Sequence, residues 1–260
     1  MHSPLAVIHP EAQIGNNVII DPFAVIERDV VIGDNCRIYP HVTILDGARI
    51  GSDCNIFPGA VVAGIPQDLK FAGEKSTAEI GNHTTLRECA TVNRGTASKE
   101  RTIVGNNCLI MAYSHVAHDC VVHDNVIIGN ASQLAGEVEI EDYAIVAGGS
   151  LVHQFTHISK HVMIQGGSRV GKDIPPYTLI GRDPIAYCGI NIVGLRRRGF
   201  TNAQIFLIQD IYRTLYTRGL NNTQALHAIE TEYGPSVERD LILNFIKTSQ
   251  RGIVRGSIDD

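Results

Sequence analysis

An aliphatic residue recurs at every sixth position from Ile8 to Val170. The series keeps its phase throughout, and of its 28 positions, 25 are Ile, Val or Leu. A helix repeats its apolar positions about every 3.6 residues and a strand every 2, so a period of six fits neither element alone. It fits a short strand followed by a corner. Three such units make one triangular coil, and stacked coils make a solenoid.

A second column of small or slim residues lies four positions after each aliphatic one. If each strand pairs with the strand one coil later, both columns point inward and three parallel β-sheets enclose them as a prism. Four of the six cysteines occupy the small column: Cys36, Cys54, Cys108 and Cys120. We therefore interpret them as reduced core residues rather than as disulfides or metal ligands.

The repeat is interrupted twice and then stops. Three positions of the series carry polar residues instead of aliphatic ones: Asp68, Glu74 and Ser98. This indicates loops inserted near 63–79 and 93–103. Loops inserted into a rigid scaffold are common places for function. Pro175 and Pro176 end the ladder, and helical patterns follow at 201–217, 222–233 and 236–250. The sequence thus predicts a parallel β-helix over 1–188 and a small C-terminal α-helical domain over 189–260.

Net charge and hydropathy narrow the range of possible functions and locations. The net charge of −5 argues against a general nucleic-acid binder. With neither a secretory leader pattern nor an apolar run of about 18 residues, we expect a cytoplasmic chain without membrane insertion.

The densest polar cluster on the predicted prism is the segment from Ser114 to Cys120. Because the repeat turns Val116 and Cys120 inward, His115 and His118 must lie outside or at a corner. Steps of one coil place His118, Gly136 and Gln154 in one column, about 4.8 Å apart per coil. A histidine there can take a proton from an attacking hydroxyl, and a glycine amide can approach a developing oxyanion. Asp119 can orient the imidazole, so acyl transfer is one interpretation.

Two other interpretations of the histidines stay open at this point. Surface histidines are often merely solvated. A zinc site at a subunit border would use His118 and His123 with a third histidine from another coil or subunit, for which the candidates are His153, His157 and His161.

Four segments together resemble one family of hexapeptide-repeat acyltransferases, the UDP-N-acetylglucosamine O-acyltransferases: Gln67–Glu74, His115–Cys120, His153–Phe155 and Asn191–Phe200. The resemblance covers nearly the whole chain. It implies a left-handed β-helix and a cytoplasmic homotrimer with active sites between neighbouring prisms. It also implies transfer of a β-hydroxyacyl chain from acyl carrier protein to the 3-hydroxyl of UDP-N-acetylglucosamine, the first step of lipid A synthesis. No metal or cofactor is implied, since the carrier-protein thioester is the acyl donor.

The resemblance assigns roles position by position. His118 matches the general base, Asp119 its partner, and Gly136 the oxyanion amide. Residues matching those that contact substrate or line the cleft are Gln67, Asp68, Lys70, His115, His153 and Gln154. Residues matching the nucleotide and phosphate region are Asn191, Arg197 and Arg198. Gly166 matches the acyl-chain ruler, and its lack of a side chain predicts a preference for long acyl chains.

The chain departs from the family pattern at two places, where Glu137 and Val193 stand instead of residues that contact the nucleotide sugar. Two alternatives to the assignment are the N-acyltransferase of the same pathway, which shares the prism, and a non-catalytic hexapeptide scaffold. The first usually carries an additional N-terminal nucleotide-binding domain, and the second needs no column of His, Gly and Gln.

Overall fold

The computed structural model describes residues 1–256, which form a three-sided prism of parallel strands, one antiparallel strand at the end of the third face, and helices. We number the faces in the order in which the chain meets them. The first face contains β1 (Val7–Ile8), β4 (Val25–Ile26), β7 (Thr43–Ile44), β10 (Val61–Gly64), β13 (Thr91–Asn93), β16 (His115–Val116), β19 (Gln133–Leu134), β22 (Leu151–Val152) and β25 (Arg169–Val170). The second contains β2 (Gln13–Ile14), β5 (Val31–Ile32), β8 (Ala48–Ile50), β11 (Thr77–Ile80), β14 (Arg101–Val104), β17 (Val121–Val122), β20 (Glu139–Ile140) and β23 (His157–Ile158). The third contains β3 (Ile19–Ile20), β6 (Arg37–Ile38), β9 (Asn55–Ile56), β12 (Thr85–Leu86), β15 (Leu109–Ile110), β18 (Ile127–Ile128), β21 (Ile145–Val146), β24 (Met163–Ile164), β26 (Thr178–Gly181) and β27 (Ala186–Ile190).

The core consists of the two columns that the sequence predicts. The aliphatic column is buried almost without exception from Ile20 to Val170, and the small column packs beside it. Cys36, Cys54 and Cys108 are buried and free, as is Cys120. The prism and the inward, buried position of these cysteines are confirmed.

Strand register shows what the interruptions do to the stack. Most neighbouring strands are one regular coil of three repeat units apart, as in the pair His115 and Gln133. Longer coils separate Val61 from Thr91 and Ile80 from Val104, which are also paired neighbours. The extra chain forms two loops that leave the prism and return in phase: the 65–76 loop and the 94–100 loop. The sequence predicts both insertions, although the predicted limits are a few residues wider than the observed ones.

The C-terminal part packs four helices onto the last coils: α1 (Ile192–Arg197), α2 (Asn202–Thr217), α3 (Asn222–Glu232) and α4 (Val237–Thr248). Thr201 caps α2 in a capping box with Gln204. A separate apolar core surrounds Tyr212, whose hydroxyl donates to the Pro176 carbonyl at 2.6 Å. The three expected helices are confirmed, whereas the short helix α1 was missed. The predicted boundary between 188 and 189 falls inside β27, and none of the described helices is long and apolar enough to cross a membrane.

Candidate active site

β16 and the corner after it bring His115, His118 and Asp119 to the edge between the first and second faces. Asp119 takes a left-handed conformation (φ 59°), which this sharp corner needs and which aspartate tolerates better than most residues. Its side chain is completely buried, and that of His118 is 9% exposed. The two side chains meet at 2.8 Å between Asp119 Oδ2 and His118 Nδ1. This contact forms a buried His–Asp dyad.

Four donors surround the Asp119 carboxylate. Oδ2 accepts from the Thr96 hydroxyl at 2.6 Å and from His118. Oδ1 accepts from the backbone N–H groups of Thr96 at 2.9 Å and Lys99 at 3.2 Å. Burial raises the pKa of Asp119, but the hydrogen bonds from Thr96, His118 and Lys99 outweigh it and hold the pKa below its usual value. Asp119 is therefore a carboxylate, which can only accept.

This arrangement determines which ring nitrogen of His118 donates and which can accept a proton. Because Asp119 accepts from Nδ1, the proton of a neutral His118 ring is on Nδ1 and its Nε2 carries a free lone pair. His115, on the same strand, contacts the Thr91 hydroxyl through Nδ1 at 2.7 Å. Burial, with the nearby His118 ring, lowers the pKa of His115, so that side chain favours its neutral form. A neutral His118 ring thus offers its Nε2 lone pair as a proton acceptor.

Gly136 lies one coil further along and faces the ring of His118. A Cβ at this glycine would lie 2.5 Å from Cε1 and 2.6 Å from Nε2 of His118. The backbone continues the column: Glu137 N–H donates to the His118 carbonyl, and Phe155 N–H to the Gly136 carbonyl. The Gly136 N–H has no acceptor within residues 1–256. Only glycine fits here, and its amide remains available to a ligand.

An open cleft of about 430 Å³ runs along the first face beside the dyad. It is lined by Gln67, His115, Ala117, His118, Gln133, Leu134, Ala135, Gly136, Leu151, Val152 and Gln154. The 65–76 loop also places a carboxylate oxygen of Asp68 3.9 Å from His118 Nε2. The structure therefore brings together Gln67, Asp68 and Gln154 with the dyad, and gives the cleft an apolar floor.

Lys70 and His153 are exposed at the rim of this region. The Lys70 amide closes a tight turn on Asp68 Oδ1 at 2.9 Å, and its side chain extends from the 65–76 loop into solvent. His153 contacts the backbone carbonyl of Gln154 through Nδ1 at 3.0 Å.

The other candidate residues lie on different edges of the same chain. Asn191 caps α1, accepting from Gly194 N–H, and donates to the His161 carbonyl at 2.9 Å. Arg198 donates to the Tyr143 carbonyl at 2.9 Å, between the second and third faces, and Arg197 is exposed nearby. Gly166 lies between the third and first faces. One chain alone thus distributes the expected site over three edges.

The two departures from the family pattern lie away from the cleft. Glu137 lines a separate pocket with Lys99, Glu139 and His157, next to the start of the C-terminal segment after α4. Val193 is 62% exposed on α1. Neither side chain contacts the dyad.

Sequence reasoning missed the residues that hold Asp119. Thr96 and Thr102 keep the phase of the small inward column, but they are polar and buried where apolar residues or serine are usual. The Thr102 hydroxyl accepts from the Asp119 N–H at 2.8 Å. A buried threonine in phase beside an interruption of the aliphatic column was the available signal.

One group within residues 1–256 has metal-ligand spacing: Glu139, Glu141 and His157, on the second face. Of the five histidines considered for zinc, only His157 belongs to it. His157 Nε2 contacts Glu141 at 2.9 Å, and the adjacent His123 contacts Glu139 at 3.2 Å. These contacts make two imidazole–carboxylate pairs, and neither includes the dyad.

These pairs predict a pH dependence of stability. Hydrogen bonding to Glu139 raises the pKa of His123; burial lowers that of His157, but Glu141 and Glu139 raise it more. A raised folded-state pKa stabilises the fold below the unfolded value near 6.5, and this contribution is lost as pH rises through the folded pKa. Since both pairs are partly exposed, we expect a loss of about 1 kcal/mol or less per pair.

Urea unfolding at several pH values tests this expectation. The difference in free energy of unfolding between wild type and His123→Gln/His157→Gln should shrink as pH rises from about 6 to 8. A difference that stays constant with pH would show that the pairs are not charged in the folded protein.

Comparison with known proteins adds to this geometry. The family described as UDP-N-acetylglucosamine O-acyltransferase, domain 2, matches residues 173–254. Bacterial transferase hexapeptide repeats match residues 11–46, 29–64 and 101–136. Two relatives named acyl-(acyl-carrier-protein)–UDP-N-acetylglucosamine O-acyltransferase are each 57% identical. That of Aquifex aeolicus aligns over 76% of both chains, and that of Chlorobaculum tepidum over 72% of this chain and 71% of its own.

Solved structures agree. The UDP-N-acetylglucosamine acyltransferase of Bacteroides fragilis superposes with a TM-score of 0.97 at 56% identity, covering 98% of this chain and 100% of that one. The Francisella novicida enzyme gives 0.96 at 40% identity, covering 99% and 95%. The chain is thus a hexapeptide-repeat O-acyltransferase built on a left-handed parallel β-helix. It belongs to the UDP-N-acetylglucosamine O-acyltransferase family.

Proposed function

We propose that this enzyme transfers a β-hydroxyacyl chain from acyl carrier protein to the 3-hydroxyl of UDP-N-acetylglucosamine, the first step of lipid A synthesis, in the cytoplasm. The observation that carries the proposal is the buried Asp119–His118 dyad, whose ring lies against Gly136 beside an open cleft. The names of its relatives support the same donor and acceptor.

The reaction follows from these positions. His118 Nε2 takes the proton of the sugar 3-hydroxyl while Asp119 stabilises the imidazolium through Nδ1–H. The hydroxyl oxygen attacks the thioester carbonyl carbon, and the Gly136 N–H donates to the resulting oxyanion. Collapse breaks the C–S bond, and His118 returns the proton to the leaving thiolate of the carrier. The route needs neither a metal nor an acyl-enzyme.

The 65–76 loop supplies the substrate contacts in this proposal. Asp68, 3.9 Å from Nε2, is close enough to bond a sugar hydroxyl positioned at the base. Gln67 faces the same cleft. The Lys70 ammonium, exposed on the same loop, suits a charged acceptor such as a nucleotide diphosphate.

The spread of site residues over three edges supports a homotrimer. The third face presents outward aliphatic residues on successive coils: Leu109, Ile127, Ile145 and Met163. If this face packs on the first face of the next copy, the edge with His118 comes beside the partner edge with Arg198. Such a heterologous contact closes as a ring, here after three copies. One buried Arg198 nitrogen, Nη1, has no partner among residues 1–256, so it is available to a diphosphate ligand.

Mixed trimers test the shared site. His118→Ala and Arg198→Ala enzymes should each be nearly inactive, because each lacks one half of every site. After unfolding and co-refolding in equal amounts, about a quarter of the sites pair an intact His118 with an intact Arg198, so activity should return to roughly that fraction. Separately refolded variants are the control. No recovery in trimers shown by mass to be mixed would place the whole site in one chain.

Gly166→Met is predicted to shorten the preferred acyl chain. A Cβ added at Gly166 would lie 3.0 Å from the Gly148 carbonyl oxygen. The wild type should prefer donors of about 14 carbons or more, and each methylene excluded by methionine should cost about 0.8 kcal/mol. A donor panel from about 10 to 16 carbons measures kcat/KM for both enzymes. Wild-type preference for the shortest donor, or an unchanged profile in the variant, would contradict the ruler assignment.

The test of the function itself is product analysis. The enzyme, a β-hydroxyacyl carrier protein and UDP-N-acetylglucosamine should give one ester, located at the sugar 3-oxygen by NMR and mass spectrometry. Transfer only to an amino sugar would favour N-acylation. No transfer by a folded trimer would favour the scaffold alternative.

A further inference from the structure

We propose that Thr96 is a positioning residue for this reaction: it fixes the Asp119 carboxylate and thereby sets the orientation and proton affinity of the His118 imidazole. The inference rests on the proposed function of His118 as base. Thr96 does not line the cleft, and its side chain reaches the chemistry only through Asp119.

Thr96 bonds both carboxylate oxygens of Asp119. Its N–H donates to Oδ1 at 2.9 Å and its hydroxyl to Oδ2 at 2.6 Å. The same Oδ2 accepts from His118 Nδ1 at 2.8 Å. Two contacts from one residue fix the plane of the carboxylate, and that plane fixes the ring that bonds to it. Thr96 is 7% exposed and Asp119 is completely buried, so water cannot easily replace either contact.

The donor and the acceptor of each hydrogen bond at the Thr96 hydroxyl can be assigned. The Thr96 oxygen accepts from the Ser98 N–H at 3.2 Å, and a carboxylate can only accept. The Thr96 hydroxyl proton is therefore committed to Asp119. The hydroxyl and His118 Nδ1–H draw on the same oxygen, so the strength of each bond depends on the other.

The path of the chain explains how Thr96 comes to this place. The coil that joins Ile80 to its neighbour Val104 is longer than a regular one, and the additional residues form the 94–100 loop. This loop crosses the edge at Asp119, where the Lys99 ammonium also donates to the Asp119 carbonyl at 3.2 Å. Glu74 ties the loop to the 65–76 loop by accepting from the Ala97 N–H at 2.8 Å. The second insertion thus fixes the dyad and is joined to the loop that carries Asp68.

Loss of the hydroxyl should change both geometry and proton affinity. Without this donor, the carboxylate turns more freely and is a stronger acceptor for Nδ1–H, which stabilises the imidazolium. The acidic limb of the pH–rate profile should therefore move to higher pH. kcat should fall about 10- to 100-fold, the effect of one hydrogen bond to a buried charge. KM for both substrates should change little, because no substrate contact is removed.

The experiment compares Thr96→Val and Thr96→Ser with Thr84→Val in the full-length assembled enzyme. Thr84 is a matched control because it is buried and its hydroxyl also donates once and accepts once, but at a corner remote from the dyad. Serine keeps the hydroxyl, so Thr96→Ser should retain the wild-type pH profile and most of kcat. If Thr96→Val does not assemble, Thr96→Ala removes the same hydroxyl with less steric demand.

A second readout separates this proposal from the proposed function. Nitrogen-15 NMR of labelled histidine, assigned with His118→Ala, follows the tautomer and titration of His118 without turnover. The expected result is an upward shift of the His118 titration midpoint in Thr96→Val and none in Thr84→Val. An unchanged midpoint with unchanged kcat would overturn the role of Thr96. A shifted midpoint in an enzyme whose activity does not need His118 would instead refute the base and leave the positioning in place.

Discussion

Replacement of His118 by alanine should lower kcat by about 10²- to 10⁴-fold, the usual contribution of a general base. Without the imidazole, the sugar hydroxyl must attack without losing its proton to a positioned group. KM should change much less, because the residues proposed to bind the substrates, such as Gln67 and Asp68, remain. Initial rates with saturating donor and acceptor measure the loss.

The matched control is His123→Ala. His123 is also paired with a carboxylate, but it is partly exposed and lies on the second face. Its replacement should leave kcat unchanged. If His118→Ala retains kcat within about tenfold of the wild type, His118 is not the base.

Gly136→Ala should cost about 10²- to 10³-fold in kcat, although it adds only one methyl group. Gly136 does not have a positive φ, so alanine is compatible with the backbone. The new Cβ would instead lie 2.5 Å from the His118 ring, which must then move away from its position over the cleft. The backbone amide also moves if the coil yields. Activity and fold are measured on the same preparation.

Two controls sharpen this prediction. A Cβ added at Gly171 meets no atom of residues 1–256 within 4 Å, so Gly171→Ala should be neutral. In a His118→Ala background, Gly136→Ala should cost much less, because the clash is gone, and the remaining loss reports the oxyanion amide alone. Equal losses in both backgrounds would show that the methyl group acts on the amide rather than on the imidazole.

The dyad column could be predicted because it depends only on the repeat. No insertion lies between His118 and Gln154, so a step of one regular coil reaches the correct neighbour each time, and Asp119 follows in the same corner. The apolar floor of the cleft follows from the same alternation. In this part of the chain, the position of a residue in the repeat therefore determines its neighbours in the structure.

Thr96 and Arg198 could not be placed in this way. Thr96 lies in a loop that leaves the prism, so the repeat would stack it with Ser114 rather than beside Asp119. Arg198 follows α1, a helix of fewer than two turns and too short for a periodic signal. Its contact with the Tyr143 carbonyl depends on how the helices dock on the prism, which the repeat does not encode.

The most direct test of direct attack by a His118-activated hydroxyl is a single-turnover experiment. Enzyme in excess is mixed with labelled β-hydroxyacyl carrier protein and UDP-N-acetylglucosamine, with a chelator present, and quenched in acid at successive times. The label should pass from carrier to sugar ester without appearing on the enzyme, at a rate that collapses in His118→Ala. A labelled acyl-enzyme, an undiminished rate in His118→Ala, or transfer that the chelator abolishes would contradict the account.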